Sequence, residues 1–442
     1  MNMKKFPDME RSRKHLLVYP LLLSLAAGCS SGGGQPSAAD PVKDNKPKTP
    51  VTLKVLFANP GMTKEIFQEL IAEPVKKLHP HISFDMVEFQ TTYGLKEMIA
   101  AGDLPDFIYT TPYIQDMLDS DIALDLTEAL KKHQIDTARF NPVVMNAIKG
   151  FGSKGEIYSV PYMSQSFAMW YNKSLFDRFG SAYPTDGMTW DQAIELSKKL
   201  ARQENGVQYR GLVATHGGIS TFASSLSLEL VDSKSLSALI SDKWNDVFAK
   251  GKALYDIVDN RPTKLNASNV QLFVRDQTLA MAPYWTGGML GNLKDAKDLN
   301  WDVVQVPYFA EAPNKYYQVD YHQFVVSKTT KHLDDVMEVL KVTVSDEVQA
   351  KAARQGKETI LANQSIIDQF AQDLDFVKGK NLKGIFKGQA SNMIFQSKYN
   401  GSVSTAINAA FNDVFEGKSD INTALRKAKE DADKKIAELK QQ

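Results

Sequence analysis

The 442-residue sequence holds one cysteine, Cys29. An internal disulfide is therefore excluded, and so are CxxC and zinc-finger spacings. An excess of one charge is missing too: Lys and Arg number 52, Asp and Glu 52. No basic surplus points to nucleic acid and no polybasic block to a lipid surface. The apolar run LLVYPLLLSLAAG at 16–28 has 13 residues and contains Pro20, short of the roughly 20 that span a bilayer. GxxxxGK[ST] is absent, as is GxGxxG after a strand, so nucleotide binding of those kinds has no support. HExxH and GxSxG are absent. The seven histidines, His15, His79, His81, His133, His216, His322 and His332, are scattered. His79 and His81 flank Pro80 and read as a turn rather than a metal pair. Carboxylates are plentiful, and the sequence leaves open whether two of them face each other as glycoside hydrolysis requires.

Cys29 sits in SLAAGCSSGGGQPS, among Gly, Ser and Ala that build no core, with no histidine near it in sequence. Lys4, Lys5, Arg11, Arg13 and Lys14 precede the short apolar run, and small residues follow it. That order is the pattern of a secretion signal. AAGC resembles a bacterial lipobox, with Ala26 where leucine is most frequent. The resemblance implies a signal peptide over 1–28, a lipid on Cys29 and an anchor on the outer face of the cell membrane. Ordinary secretion with cleavage elsewhere is the alternative. Without residues 1–28, which carry five basic and two acidic groups, the net charge is −3. The stretch SSGGGQPSAADPVKDNKPKTP at 30–50 has almost nothing to bury and reads as a disordered tether. Fully extended, it would reach at most about 70 Å.

The body begins at VTLKVLFA, where Val51, Leu53, Val55 and Phe57 alternate as in a strand. Ile66, Phe67, Leu70, Ile71 and Leu78 then fall at helical spacing, and Pro74 is expected to kink or end that helix. HISFDMVEF alternates, LKEMIAA is helical and stops at Gly102, and LPDFIY is a short apolar strand. This β-α-β-α-β order predicts a mostly parallel sheet with helices on both faces. Farther on, GEIYSVPY predicts a strand pair and SFAMWYN a strand with Trp170 in the core. TWDQAIELSKKLAR predicts a helix with a capping box from Thr189 and Gln192. LAMAPYW, WDVVQVPY and QFVVS predict strands, HLDDVMEVLKVT a helix, and Ser345 caps DEVQAKAA. INTALRKAKEDADKKIAEL reads as a charged amphipathic helix.

The segments MIAAGDLPDFIYT, GEIYSVPYMSQSFAMWYNKSLFDRFG, MTWDQAIELSKKLA, LAMAPYW and SVSTAINAAFNDVFEG occur in an order that resembles the extracellular solute-binding proteins of ABC importers. That is the class typified by the maltose-binding protein. The resemblance implies an α/β, two-lobed periplasmic-binding-protein-like fold with a cleft between the lobes. Lobe one would hold 51–161 and 318–365, lobe two 162–317 and 366–442. It implies a monomer without cofactor or catalysis, which closes by a hinge on its solute and delivers it to the transmembrane subunits of a permease.

The same resemblance carries site residues. Thr110 and Tyr113 match a ligand-contacting loop, Gln165 a polar contact at the start of the second lobe, and His216 in ATHGG another cleft loop. Tyr399 matches an aromatic platform, and Asn59 follows the first strand as a possible donor. Two stretches depart from the family. PYWTGG puts Tyr284 and Trp285 before its glycines, and Asp320, Tyr321 and His322 stand where paired glycines are common. Flat aromatics beside amides and carboxylates suit a saccharide, with its apolar faces and its hydroxyls. Asp106 reads as a turn cap. The alternatives are a cell-surface glycosidase, or a binder of another solute: a peptide, or ferric iron held by the tandem Tyr316 and Tyr317.

Overall fold

Among the described residues six strands form the first sheet and five the second, and the polypeptide passes from the first to the second at a single residue, Ser166. The computed structural model describes residues 48–88, 90, 94–214, 217–265 and 268–441. Cys29 and the segments before it lie outside them. The strands are β1 (Val51–Phe57), β2 (Ile82–Val87), β3 (Phe107–Thr110), β4 (Ser159–Gln165), β5 (Phe167–Asn172), β6 (Arg202–Glu204) and β7 (Val207–Leu212). They continue with β8 (Leu279–Trp285), β9 (Trp301–Gln305), β10 (Lys315–Gln318), β11 (Asp320–Val326), β12 (Glu358–Thr359) and β13 (Gln389–Ser391).

The first sheet has the order β12-β4-β11-β3-β1-β2 and the second β6-β7-β8-β5-β9, while β10 and β13 form a separate parallel pair. The parallel expectation holds for β1, β2 and β3 only. β11 runs antiparallel to both β3 and β4, because it starts at the edge where β4 ends. In the second sheet only β7 and β8 are parallel. GEIYSVPY is likewise not a strand pair, since its strand begins at Ser159.

Local chemistry accounts for the elements. The alternation of β1 buries Val51, Leu53, Val55 and Phe57, and Leu56 faces a second cluster with Ile108 and Val325. All six residues of β5 are buried, so it packs on both faces. Phe167, Met169 and Tyr171 join one core, and Ala168 and Trp170 the other, as the period of two requires. Pro74 does not end its helix. Helical residues run from Lys64 to Leu78 with a π-helical segment, Gln68–Ala72, just before the proline. The wider turn absorbs the missing N–H donor. Thr189 and Gln192 form the predicted capping box, Ser345 accepts from the Val348 N–H, and Gly102 ends its helix in the left-handed region. Asp106 accepts from the Lys54 N–H and the Thr330 hydroxyl, a structural role. His79 pairs with Glu338 and His81 with Asp335 on the helix Leu333–Thr343.

The C-terminal ends of β1, β3 and β4 and the start of β11 share one edge of the first sheet. In open α/β sheets ligands bind outside the carboxyl ends of the strands.

Candidate functional site

Gln165 is the last residue of β4 and stands opposite Asp320, the first of β11. Ser166 follows it, and β5 of the second sheet begins at Phe167. The chain therefore changes sheets at Ser166, which is buried. Glu358 of β12 accepts from the Ser166 N–H at 2.8 Å and from its hydroxyl at 2.7 Å. From the second half, the Thr286 N–H and hydroxyl donate to the Ser166 carbonyl at 3.0 and 2.9 Å. The Tyr316 hydroxyl lies 3.3 Å from that of Ser166. The crossing residue is thus held from both sides.

A relay of hydrogen bonds orients Gln165. Its Nε2 donates to His322 Nε2 at 2.9 Å and to Asp320 Oδ2 at 3.3 Å. His322 Nδ1 meets the Tyr109 hydroxyl, whose own proton points at Met163 Sδ, 3.9 Å away. Those directions are consistent only with a neutral imidazole protonated on Nδ1. Burial, reinforced by the Lys357 ammonium, pushes His322 down to about 4, so the ring is neutral at physiological pH. Both N–H groups of Gln165 are spent, and its Oε1 is left to face Gly287. A Cβ on Gly287 would sit 3.0 Å from that oxygen. The site therefore offers a fixed acceptor, which suits a ligand hydroxyl.

Two acids flank this amide. Burial raises Asp320 to about 7, and the Glu358 carboxylate adds to it against a backbone hydrogen bond from Tyr321. Burial raises Glu358 to about 7 as well, opposed by its bonds from Ser166 and Thr286. Tyr113 is 65 % exposed. Its phenol is nevertheless raised, first by surrounding protein mass and then by Asp320. Open to water yet flanked by protein is the condition of a residue on the wall of a concavity.

The other expected residues divide into three groups. Asn59 joins the cluster: its Oδ1 accepts from the Gly61 N–H at 2.7 Å, and a Cβ on Gly61 would lie 2.8 Å from that oxygen and 2.9 Å from the His322 ring. Thr110 is buried opposite Gln323. Tyr284 and Trp285 end β8, half-buried, and lead into the helix Thr286–Leu293 that carries Gly287. Trp285 packs edge-on against Phe167 at 4.8 Å. Two expectations are corrected. Tyr321 is 0 % and Tyr399 4 % exposed. Each sits in a hydrophobic core, Tyr321 because β11 alternation turns it away from His322, Tyr399 because it precedes the buried face of the helix Asn400–Phe415. Neither ring can serve as a platform in this arrangement. His216 lies outside the described residues. Tyr316 and Tyr317 do not act together, since Tyr317 stacks on Phe167 at 3.8 Å while Tyr316 reaches Ser166.

Ser166, Glu358 and Lys357 were not anticipated. A short strand after a helix, in GKET, leaves no periodic signal, and Ser166 gains its role only from the crossing. Open surface hollows beside Val270, Arg275 and Asn292, and beside Tyr183, Met188 and Gln192, contain none of these residues.

A family profile, bacterial extracellular solute-binding protein, matches residues 60–350, more than half of the chain. The chain belongs to the bacterial extracellular solute-binding proteins. Solved structures agree with the fold. An ABC substrate-binding protein from Listeria monocytogenes in complex with cycloalternan is similar with a TM-score of 0.72 at 19 % identity, covering 88 % of this chain and 100 % of that one. A sugar transporter from Rhizobium etli in an open conformation gives 0.70 at 20 %, covering 86 % and 99 %. A maltose/maltodextrin-binding domain from Bdellovibrio bacteriovorus bound to maltotriose gives 0.66 at 17 %, covering 88 % and 100 %. The fold is the two-lobed α/β fold of these binding proteins, and the family places the protein outside the cytoplasm. Among the described residues no helix is long and apolar enough to cross a membrane.

Proposed function

We propose that this solute-binding protein captures a mono- or oligosaccharide and delivers it to the transmembrane subunits of an ABC permease. The observation that carries this reading is the Gln165 amide, locked between Asp320 and neutral His322 with Oε1 presented beside Gly287. A preset acceptor, carboxyl and amide groups around it, and the part-exposed ring of Trp285 nearby match a ring face edged with hydroxyls. Relatives of the same fold that are described with oligosaccharides support the same class of solute.

Lobe one takes 51–161 and 318–365, lobe two 162–317 and 366–442, with β4 carrying the first lobe's sheet on to Gln165. The lobes close about Ser166 and the passage from β10 to β11. The protein acts as a monomer, tethered by 30–50 to a lipid on Cys29, and turns nothing over. Glu358 is 7 % exposed and engaged by Ser166 and Thr286. It is therefore not presented to a solute as a partner acid for Asp320, which weighs against a glycosidase.

Scanning fluorimetry against a saccharide panel tests the reading, because a ligand bound only by the native state raises the melting temperature. A saturable rise without release of reducing sugar is expected. Hydrolysis of aryl glycosides by the pure protein, or no rise with any saccharide, would overturn it.

A further inference from the structure

Beside the Gln165 amide lies a cation that the neutral-sugar reading does not use. β12 pairs antiparallel with β4, Glu358 opposite Ser164 and Thr359 opposite Met163. One step back along that register, Lys357 falls opposite Gln165. On the other side of β4, Gln165 pairs with Asp320. Extended by that one residue, the register sets Lys357, just ahead of β12, in line with Gln165 of β4 and Asp320 of β11, with the amide between the ammonium and the carboxyl.

Lys357 is half-buried. Burial alone shifts it, downward, and no carboxylate offsets that cost. The neighbouring acid, Glu358, is committed to Ser166. The Lys357 charge is nevertheless felt by His322 inside the cluster. An ammonium partly withdrawn from water without a counter-ion costs stability. Most other lysines near a carboxylate in this fold, such as Lys387 with Asp186 at 2.6 Å, are matched.

We propose that Lys357 is the recognition residue for an anionic group on the solute, so that the preferred ligand is an acidic saccharide, a sugar carrying a carboxylate. This inference rests on the saccharide reading above. The solute's hydroxyl donates to Gln165 Oε1 while its carboxylate pairs with the Lys357 ammonium one strand over. Such a pair is formed in a site with little competing water, where a charge-assisted hydrogen bond is strong.

Calorimetric titration with galacturonate, di- and trigalacturonate, beside galactose and galacto-oligosaccharides of matching length, tests the proposal on the full chain and on Lys357→Met. The acidic series is expected to bind at least about tenfold tighter than the neutral one. Lys357→Met is expected to erase that preference, leave neutral-sugar affinity within about twofold and keep or raise the melting temperature, since an unpaired buried charge is removed. Lys357→Arg should retain part of the preference. Neutral sugars binding as well as acidic ones, or a preference that survives Lys357→Met, would overturn the proposal and leave the saccharide reading standing. Binding of neither series, in a melting assay that registers other solutes, would overturn both.

Discussion

Glu358 accepts both the backbone N–H and the hydroxyl of Ser166, at 2.8 and 2.7 Å. Ser166 is the single residue between a strand of one sheet and a strand of the other, so this carboxylate fixes the point at which the chain crosses. Truncating it leaves a buried N–H and hydroxyl to find other partners. Glu358→Ala is expected to cost about 2–4 kcal/mol, the scale of stranding buried groups that a charged partner had satisfied. Glu358→Gln keeps one acceptor and should cost less than half as much. Urea unfolding of the two variants, with slopes compared to the parent, checks the ordering; equal losses would mean that the carboxylate only fills space.

The same group makes stability depend on pH. Glu358 and Asp320 are raised to about 7 from 4.5 and 3.8. The folded protein therefore holds protons that the unfolded chain releases. Their contribution is complete below the unfolded values and is lost as pH rises through about 7. His322, lowered to about 4 from 6.5, acts oppositely: its contribution is present above 6.5 and lost as pH falls through about 4. Between about pH 6.5 and 7.5 only the acids operate. Stability should fall there, by up to roughly 1.4 kcal/mol per pH unit for each proton, and Glu358→Gln should remove one proton's share of the slope. Unfolding free energies measured from pH 6 to 8 decide it, and an unchanged slope in the variant would assign the proton elsewhere.

Two glycines should separate binding from folding. A Cβ on Gly287 meets only the tip of Gln165, at 3.0 Å. Gly287 is the second residue of the helix Thr286–Leu293, where alanine is at least as good a helix former as glycine. Gly287→Ala should leave the melting temperature unchanged or higher while displacing the amide, weakening saccharide binding about tenfold. Gly61→Ala meets Asn59 and His322 at once, and should lower both stability and affinity. Titration beside melting curves would show the contrast. Equal affinity in Gly287→Ala would remove Gln165 Oε1 from the contact set.

Most of the secondary structure was legible because it follows from local rules. The alternation of β1 and β5, the capping box at Thr189 and the αL glycine at Gly102 each depend on neighbours in sequence. Where the prediction failed, a distant partner decided. β11 is antiparallel because it re-enters from the other half, and Pro74 is tolerated because a π turn precedes it. The site was half legible. Gln165, Asp320, His322, Asn59 and Tyr113 do converge. Tyr321 and Tyr399 could not be told from platforms, since strand phase and core depth are tertiary facts. Glu358 sits on a two-residue strand that has no pattern to read, and Lys357 is the residue just before it.

The proposed lipid anchor on Cys29 gives a prediction of a different kind. With Cys29→Ser, the protein should leave the membrane fraction for the medium, and its melting temperature should match that of the parent. One acyl chain contributes about 0.8 kcal/mol of membrane affinity per buried CH₂. Retention in the membrane fraction would reject lipidation at this residue.

Trp285 and Tyr399 offer the sharpest comparison, because the sequence makes them equivalent and the structure does not. Trp285 is half-buried, edge-on to Phe167 at 4.8 Å and to Tyr317 at 6.0 Å, with part of its ring exposed at the end of β8. Tyr399 is 4 % exposed within the core of the second half. If the free part of Trp285 stacks on solute, Trp285→Ala should weaken binding by about 2 kcal/mol or more, near thirtyfold. Its stability cost should be the smaller of the two. Tyr399→Ala should cost about 3–5 kcal/mol of folding, as large aromatic truncations in cores do, with affinity unchanged wherever the variant remains folded. Titration and unfolding of both variants give a two-by-two outcome. The reverse pattern, with affinity lost at Tyr399 and stability at Trp285, would move the stacking surface to Tyr399 and remove Trp285 from the site.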